Sequence, residues 1–352
     1  MAVEDGPAEL EEGKVIGRFK IEKKIGEGAC GAVYLCSETS TGKYAALKAE
    51  LISNYGNGLK LEVQILKRLA GKKHFADLFS CGKTPKFCYM VITFLGTSLS
   101  TFIRAYELNL SESTVVRTAI QMLYSLKQVH EIGIVHRDMK PANLTIGRFG
   151  VEKKMIHIID FGLSREITII DNGKIRLRKP RERCLFRGTI KYCSVASLEK
   201  VEQGRGDDLI SVFYICAEFF AKLPWSASGD KTEVLRLKKE IPDSKLFTSC
   251  PEMGELLTYC KKLKYNDRPD YGFIYTILYD LMIKRGYKYS DQYDWEPLAD
   301  TLNNRFLSKE ATKSIVSPTL KIGDNELTAE MTDKFFETHF TKEEFNKNVL
   351  GF

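Results

Sequence analysis

Few residues in this sequence are suited to metal centres or disulfide frameworks. There are 5 histidines, and the 9 cysteines are an odd number with no Cys-x-x-Cys pair. A zinc site needs several such ligands at close spacing, so none is expected. Scattered, unpaired cysteines are typical of a reducing compartment, where most thiols behave as small buried hydrophobic groups.

Long apolar runs are absent as well. The longest, at residues 209–221, is interrupted by Ser211 and Glu218 and is too short to span a bilayer. Residues 1–14 are acidic, which is the wrong charge for a signal peptide. We therefore expect an intracellular protein, cytoplasmic or also nuclear, without membrane contact. The hydrophobic content of 43% is that of an ordinary globular protein.

The hydrophobic pattern changes along the chain from strand-like to helix-like. Residues 15–48 show short alternating runs between turn residues, which predicts an antiparallel meander. A helical period follows at residues 59–69, and after Gly96 the pattern is mainly helical. The predicted segments are an acidic extension at 1–16, a small β-rich lobe with one helix at 17–92, a connector at 93–96, a larger helical lobe at 97–296 and a tail with a short helix at 297–352.

A glycine-rich turn lies between two strand-like runs. Residues 26–33 read G-E-G-A-C-G-A-V, and glycines let backbone N–H groups approach an anionic phosphate closely. A dinucleotide-binding turn is the rival interpretation, but it requires a helix directly after the glycines. Here a strand-like run continues to Cys36, which favours the phosphate-covering turn of a protein kinase.

The next motif supplies a candidate phosphate-binding lysine. Residues 45–48 read A-A-L-K, similar to the kinase strand that ends in such a lysine. Lys48 would bridge the α- and β-phosphates, and the small Ala46 leaves room for adenine. Glu62 lies within the predicted helix and is either a solvated acid or the partner that fixes Lys48.

Two further motifs carry the catalytic groups. Residues 136–143 read H-R-D-M-K-P-A-N, the pattern of a kinase catalytic loop. Asp138 would accept the proton of a substrate hydroxyl, Lys140 would balance charge on the γ-phosphate, and Asn143 would bind Mg²⁺. Asp160 opens an Asp-Phe-Gly run and would bind the Mg²⁺ that bridges the β- and γ-phosphates. Together the motifs predict a protein kinase that uses ATP and Mg²⁺.

Five more segments have a family-specific pattern. They read G-T-I-K-Y-C-S-V at 188–195, R-G-D-D-L-I-S at 205–211, L-P-W at 223–225, D-R-P-D-Y at 267–271 and D-W at 294–295. With them, residues 17–295 resemble eukaryotic protein kinases of the casein kinase I group, and within it the tau-tubulin kinases. The resemblance implies an α+β, bilobal kinase fold and transfer to Ser or Thr in acidic or phosphorylated proteins. Thr189 would help to hold Asp138 against Lys140.

The resemblance also indicates where the nucleotide binds. Ile92 falls at the gatekeeper position, and the Thr93 carbonyl and the Leu95 amide are expected to contact adenine. The residues expected around the nucleotide are Ile25, Gly26, Glu27, Gly28, Ala29, Cys30, Gly31, Ala32, Val33, Ala46, Lys48, Thr93 and Leu95.

Three positions depart from the family pattern. Cys30 replaces a usual Phe, Thr145 replaces an apolar residue expected under the adenine, and Ala196 stands where relatives often have Asn. These departures are expected to affect how efficiently phosphate is transferred, and none of them removes a group that the transfer requires. The alternative is a pseudokinase-like scaffold that binds partners through the same fold. That alternative predicts the loss of a catalytic group, and none of those named above is missing.

The segment between Asp160 and Gly188 has no conventional phosphorylation site. Residues 169–188 contain no Ser, Thr or Tyr, so we expect activity without phosphorylation of this loop. Its basic side chains are Lys174, Arg176, Arg178, Lys179, Arg181, Arg183 and Arg187.

Two interpretations of these charges remain. They form a solvated surface loop, or, with Lys191 as the inner member, a shelf that binds acidic or phosphorylated protein substrates. Nucleic acid is a weaker third candidate, because stacking aromatic residues do not alternate with the charges. We expect a monomer without a specific nucleic-acid partner.

Several other residues are expected to be structural. His130 and His157 have no neighbouring ligands at metal spacing. Asp208, at the start of an apolar helix, is expected to hydrogen-bond the backbone of the catalytic loop. The aromatic residues of the tail, between 335 and 345, either dock on the large lobe or form a stripe that binds a partner.

Overall fold

The protein has two lobes, which a computed structural model describes for residues 8–28, 31–52, 58–107, 109–307 and 328–352. The small lobe is an antiparallel sheet with one helix, and the larger lobe is mainly helical. The predicted α+β bilobal fold is therefore confirmed. The strands are β1 (Val15–Ile16), β2 (Phe19–Gly28), β3 (Gly31–Glu38), β4 (Tyr44–Leu51), β5 (Leu78–Lys83), β6 (Phe87–Thr93), β7 (Ile134–Val135), β8 (Leu144–Ile146), β9 (Ile156–Ile158), β10 (Arg165–Glu166), β11 (Thr168–Asp171) and β12 (Lys174–Leu177).

The helices follow mainly after the small lobe. They are α1 (Gly58–Arg68), α2 (Leu99–Tyr106), α3 (Glu112–Glu131), α4 (Val195–Leu198), α5 (Arg205–Phe220), α6 (Lys231–Glu240), α7 (Asp243–Leu246), α8 (Pro251–Lys262), α9 (Tyr271–Lys284), α10 (Glu296–Asn303), α11 (Ala329–His339) and α12 (Lys342–Asn346).

The sheet of the small lobe has the strand order β1-β2-β3-β4-β6-β5. Its register pairs Val33 with Lys48 and Lys48 with Met90, so these side chains share one face. That face is directed toward the cleft between the lobes, since Val33, Lys48 and Met90 all line it. Helix α1 packs against the sheet through a buried stripe that includes Leu59, Ile65 and the acidic Glu62.

Helices α3 and α5 form the centre of the large lobe. Ser111 caps α3, its hydroxyl accepting from the Thr114 amide. Helix α5 is apolar almost all round and is buried from Leu209 to Ala217, as expected for a core helix. Its first turn also holds Asp208, only 2% exposed, directly beneath the chain that follows β7. The core helix thus carries a carboxylate into the region of the catalytic loop.

Residues 8–16 belong to the small lobe and are not a separate acidic extension. Ala8 and Leu10 are buried in the apolar cluster on the outer face of the sheet. The Tyr34 hydroxyl donates to the Ala8 carbonyl at 2.7 Å and accepts from the Leu10 amide at 3.1 Å. The acidic composition concealed two apolar anchors, so the small lobe begins earlier than the expected boundary at residue 17.

The aromatic tail packs on the large lobe. Phe336, Phe340 and Phe345 are at most 2% exposed, and Phe345 stacks on Tyr275 of α9 with ring centroids 4.2 Å apart. Burying each such side chain contributes roughly 1.5–3 kcal/mol, which is enough to hold two short helices in place. Of the two roles expected for the tail aromatic residues, docking on the large lobe is the one observed.

Among the described residues, no helix combines the length and the hydropathy that crossing a bilayer requires.

Three histidines lie together beneath the tail. The His74 ring stacks on His339 with centroids 5.4 Å apart and lies 6.4 Å from His157. Burial lowers the pKa of His339 to about 3 and that of His157 to about 4. Burial, and then repulsion from the other two rings, holds the pKa of His74 well below 6.5. All three rings are therefore neutral at physiological pH.

This cluster predicts a loss of stability in acid. Folded-state pKa values below the ordinary 6.5 mean that the unfolded chain binds more protons once the pH falls through 6.5. The contribution of the neutral histidine rings to the free energy of unfolding is complete above pH 6.5 and declines as the pH falls toward 4. We expect His339→Phe, which keeps a ring but cannot titrate, to make this decline shallower by up to about 1.4 kcal/mol per pH unit. Denaturant unfolding at several pH values measures it, and equal pH slopes for both proteins would contradict the prediction.

Candidate active site

A cleft of about 660 Å³ lies between the lobes. Among the residues expected around the nucleotide, those that line it are Ile25, Gly26, Glu27, Gly28, Gly31, Val33, Ala46, Lys48, Thr93 and Leu95. The structure therefore brings residues from three strands and the connector to one cavity.

Three of the expected nucleotide residues are not in that group. Ala29 and Cys30 lie outside the described residues. Ala32 corrects the prediction, because it lies on the opposite face of the sheet, in the apolar cluster with Tyr34. In β3 its neighbour Val33 takes the cleft face, and strand geometry turns Ala32 away.

The connector forms the back of the cleft. The Leu95 amide donates to the Thr93 carbonyl at 3.0 Å, so the two groups expected to contact adenine are hydrogen-bonded to each other. A nucleotide that used both groups would replace this bond. Beneath them, Thr145 lines the cleft, and its buried hydroxyl has no hydrogen-bond partner among the described residues. An unpaired buried hydroxyl fits a polar ligand in this cavity.

Lys48 is held between two carboxylates. Its Nζ donates to Glu62 Oε2 at 2.8 Å and to Asp160 Oδ1 at 3.1 Å. Burial alone would lower the pKa of Lys48, but the attraction of Glu62 and Asp160 outweighs it and the pKa is raised. For Asp160 burial opposes and Lys48 outweighs it, so the pKa of this carboxyl is lowered. Both groups are charged, and Lys48 presents a fixed cation to the cleft.

Glu62 also ties α1 to the segment that carries Asp160. It is 3% exposed, and its second oxygen accepts from the Phe161 amide at 3.3 Å. The same carboxylate therefore sets the position of Lys48 and of the Asp-Phe-Gly turn.

Both carboxylate oxygens of Asp138 accept hydrogen bonds. Lys140 Nζ lies 2.5 Å from Oδ2, and the Thr189 hydroxyl donates to Oδ1 at 2.7 Å. The Asn143 side-chain amide donates to the Asp138 carbonyl at 2.9 Å. Asp138 as a whole is 6% exposed. It is thus oriented from both sides before any substrate binds.

The catalytic loop is fastened to α5 by Asp208. Its Oδ2 accepts from the His136 amide at 2.7 Å and from the His130 ring at 2.9 Å, and its Oδ1 accepts from the Arg137 amide at 2.8 Å. Burial would raise the pKa of Asp208, but these donors outweigh it and the pKa is lowered. Arg137 has a φ of 68°, a left-handed conformation that the surrounding bonds must maintain. The expected scaffolding contact of Asp208 is present.

Comparison with known proteins finds similarity along most of the chain. Residues 19–276 match the family model of the protein kinase domain. The chain belongs to the protein kinase family. A Caenorhabditis elegans protein named as a serine/threonine-protein kinase is 40% identical over 359 residues, with 99% of each chain covered. A Dictyostelium discoideum protein with the same kind of name is 34% identical over 284 residues, which are 80% of this chain and 57% of that protein.

The family implies ATP and Mg²⁺, and the residues of this kinase fit both. Asn143 uses its nitrogen on Asp138, which leaves its side-chain oxygen as a ligand. Asp160, with a φ of 65°, presents a charged carboxylate that is 36% exposed. Mg²⁺ prefers such a sparse oxygen set and completes its shell with water and phosphate oxygens. Bound there, it would neutralise phosphate charge, and Asn143 and Asp160 would hold it.

Gly188 allows the end of the activation segment, residues 160–188, to touch the catalytic loop. A Cβ on Gly188, whose φ is 108°, would lie 2.5 Å from the Arg137 carbonyl oxygen and 3.9 Å from Asp138 Oδ1. No side chain fits there. This contact brings the next residue, Thr189, within hydrogen-bond distance of Asp138.

The sequence motifs did not reveal every residue of the site. Glu202 is buried beneath the activation segment, and Arg305 and Phe306 line the cleft from beyond the matched domain. No local signal marks them, because a single acid or aromatic residue acquires its role only through contacts far along the chain.

The Gly188 contact generates a testable expectation. In Gly188→Ala the catalytic loop must shift, and displacement of Asp138 by about 1 Å can reduce kcat by about 100-fold. Gly173→Ala is the matched control, because Gly173 has a φ of 75° but a Cβ added to it would have no other atom within 4 Å. Steady-state kinetics with a peptide substrate measure both variants. A kcat for Gly188→Ala equal to that of the control would contradict the structural account.

Proposed function

We propose that this kinase is an active serine/threonine-protein kinase of the casein kinase I type. The observation that carries the proposal is the orientation of Asp138 by Lys140 and Thr189 in a cleft where Lys48 is already paired with Glu62. The names of both relatives support Ser or Thr as the acceptor. The segments at 188–195 and 205–211 support the casein kinase I type.

In this proposal the chain's own residues position the reacting groups. Asp138 orients the substrate hydroxyl and accepts its proton as the new oxygen–phosphorus bond forms and ADP leaves. Lys48 binds phosphates of ATP, and Lys140 stabilises charge on the transferred group. A pseudokinase-like scaffold is the alternative. It has little support, because Lys48, Asp138, Asn143 and Asp160 are all present and grouped.

The base assignment can be tested directly. We expect Asp138→Asn to reduce kcat for phosphate transfer from labelled ATP by about 10²- to 10⁴-fold, the usual contribution of a general base. Asp280→Asn, at an exposed position of α9, is the control and should behave as the wild type. Transfer that survives Asp138→Asn would exclude Asp138 as the base. No transfer by the wild-type protein would favour the scaffold.

Glu202 is the residue that supports the proposed independence of loop phosphorylation. Its side chain is 1% exposed and accepts from Arg181 Nε at 2.5 Å, with Arg165 Nε at 3.4 Å. Burial would raise the pKa of Glu202, but Arg181 and Arg165 outweigh it and the pKa is lowered. Arg137 of the catalytic loop is close enough to experience the charges of the same two arginines. Its pKa is lowered to about 10 by burial and then by Arg165 and Arg181. Glu202 thus supplies the anion that a loop phosphate would otherwise provide.

The Glu202 cluster predicts a constitutive enzyme. We expect phosphatase treatment to leave wild-type activity unchanged and Glu202→Gln to reduce it by about 10-fold or more, since two arginines lose their buried counter-ion. Glu199→Gln removes a surface partner of Lys239 and is the control. If phosphatase treatment abolishes wild-type activity, the proposed independence is wrong. If Glu202→Gln retains full activity, Glu202 does not replace the phosphate.

Preference for acidic or phosphorylated substrates is the finer part of the proposal. Two charges of the basic segment already have acidic partners, Arg181 in Glu202 and Arg176 in Asp171. Lys191, beyond the segment, is paired with Glu218. Lys191 is therefore not the inner member of an anion shelf. The basic side chains of the segment that form neither an ion pair nor a hydrogen bond among the described residues are Lys174, Lys179, Arg183 and Arg187. These four support an electrostatic attraction for acidic protein substrates.

A further inference from the structure

The chain that leaves α10 crosses the opening of the nucleotide cleft. This strap, residues 303–307, lies beyond the matched kinase domain, which ends at residue 276. Asn303, Arg305 and Phe306 line the same cavity as Lys48 and Asp160. The strap therefore belongs physically to the cleft, although no catalytic motif includes it.

Asn303 fixes the strap directly behind the end of the connector. It is 3% exposed. Its Oδ1 accepts from the Thr97 amide at 2.8 Å, and its Nδ2 donates to the carbonyls of Gly147 and Arg148, each at 3.4 Å. A Cβ on Gly96 would lie 2.7 Å from Asn303 Oδ1, so the connector approaches this amide as closely as only glycine permits. Such a fully used, buried amide specifies one position for the backbone.

Arg148 makes a second attachment. It is 5% exposed, and its guanidinium donates to the Asn303 carbonyl and to Asn304 Oδ1, the latter at 3.2 Å. The same group donates to the Leu95 carbonyl at 3.4 Å and lies 4.2 Å from the centre of the Phe94 ring. One side chain thus joins the strap to the part of the connector where adenine is expected.

The end of the strap reaches the small lobe. The Phe306 ring lies 5.5 Å from Lys23 Nζ of β2. Leu307 packs against the cluster of Leu35, Ala46 and Phe94, and Ala46 also lines the cleft. The strap consequently touches the connector, the large lobe and the small lobe within five residues, 303 to 307.

We propose that the strap is the outer wall of the nucleotide site and that Phe306 and Leu307 contribute to the affinity for ATP. An apolar side chain at the open end of a cleft removes ligand surface from water and strengthens binding. Because the strap is attached to both lobes, it also limits how far they separate. The inference rests on the proposed kinase function, since it assigns further residues to that same nucleotide site.

A purely structural role is the competing explanation. A brace between the lobes would lower the melting temperature when removed but would leave the affinity for ATP per folded molecule unchanged. A wall of the site would change that affinity itself, and its side chains would sense the bound nucleotide. The two explanations therefore separate in a binding measurement.

The experiment compares the 352-residue chain with its variants Phe306→Ala and Leu307→Ala and with the double variant. We expect the Kd for ATP, by isothermal titration calorimetry, to rise by about 3- to 10-fold in the double variant, as loss of two apolar contacts implies. The KM for a peptide substrate should change little. Thr301→Ala, exposed on α10, is the matched control and should bind ATP as the wild type does.

A second variant reports on proximity. Phe306→Trp places an indole at the proposed wall, against a background of the buried Trp225 and Trp295. Its emission should change on adding ATP, in excess of any change in the wild type. An unchanged Kd in the double variant, with or without a lower melting temperature, would overturn the inference, as would a silent indole at position 306. Failure of the wild type itself to bind ATP would instead refute the proposed function.

Discussion

One buried carboxylate holds the catalytic centre in place. Asp208 lies in the first turn of the core helix α5, where an unpaired charge would be costly. Three donors satisfy it: the amides of His136 and Arg137 and the ring of His130. These bonds make the left-handed Arg137 tolerable and determine where the next residue, Asp138, points. Lys140, Thr189 and Asn143 act on an already fixed loop, so their contacts depend on Asp208.

The other half of the site depends on a similar arrangement in the small lobe. Glu62 binds Lys48 with one oxygen and the Phe161 amide with the other. Through these two bonds, α1 and the Asp-Phe-Gly turn take positions that agree with each other. The cleft is therefore defined by two buried acids, Asp208 below and Glu62 above, each paired with backbone as well as with a side chain.

The parts that could be predicted from the sequence are those encoded in short motifs. Gly26, Lys48, Asp138 and Asp160 line one cavity because each motif determines its own local backbone and the fold brings the motifs together. The glycine-rich run, taken as a unit, assigns Ala32 to the nucleotide as well. Alternation along β3 turns Ala32 away, which makes that assignment wrong.

Roles that arise from distant pairs outside the recognised motifs could not be predicted. The basic segment has the pattern of one positively charged surface. In the structure, however, Arg181 forms an ion pair with Glu202, and the nearby Lys191 forms one with Glu218. No local sequence pattern connects these positions. Similarly, the buried Leu10 and Phe336 show that segments near both ends of the chain pack on the lobes. Their apolar side chains needed partner surfaces that a one-dimensional pattern does not contain.

The most direct test of this account is the single-turnover rate of phosphate transfer in Asp208→Asn at saturating ATP. The substitution keeps the size of the side chain but replaces one acceptor oxygen with a donor, which must face an amide N–H. We predict a rate at least about 100-fold below that of the wild type, as expected when a catalytic group is displaced by about 1 Å. A rate equal to that of the wild type would show that the catalytic loop holds Asp138 without Asp208, and would contradict the account.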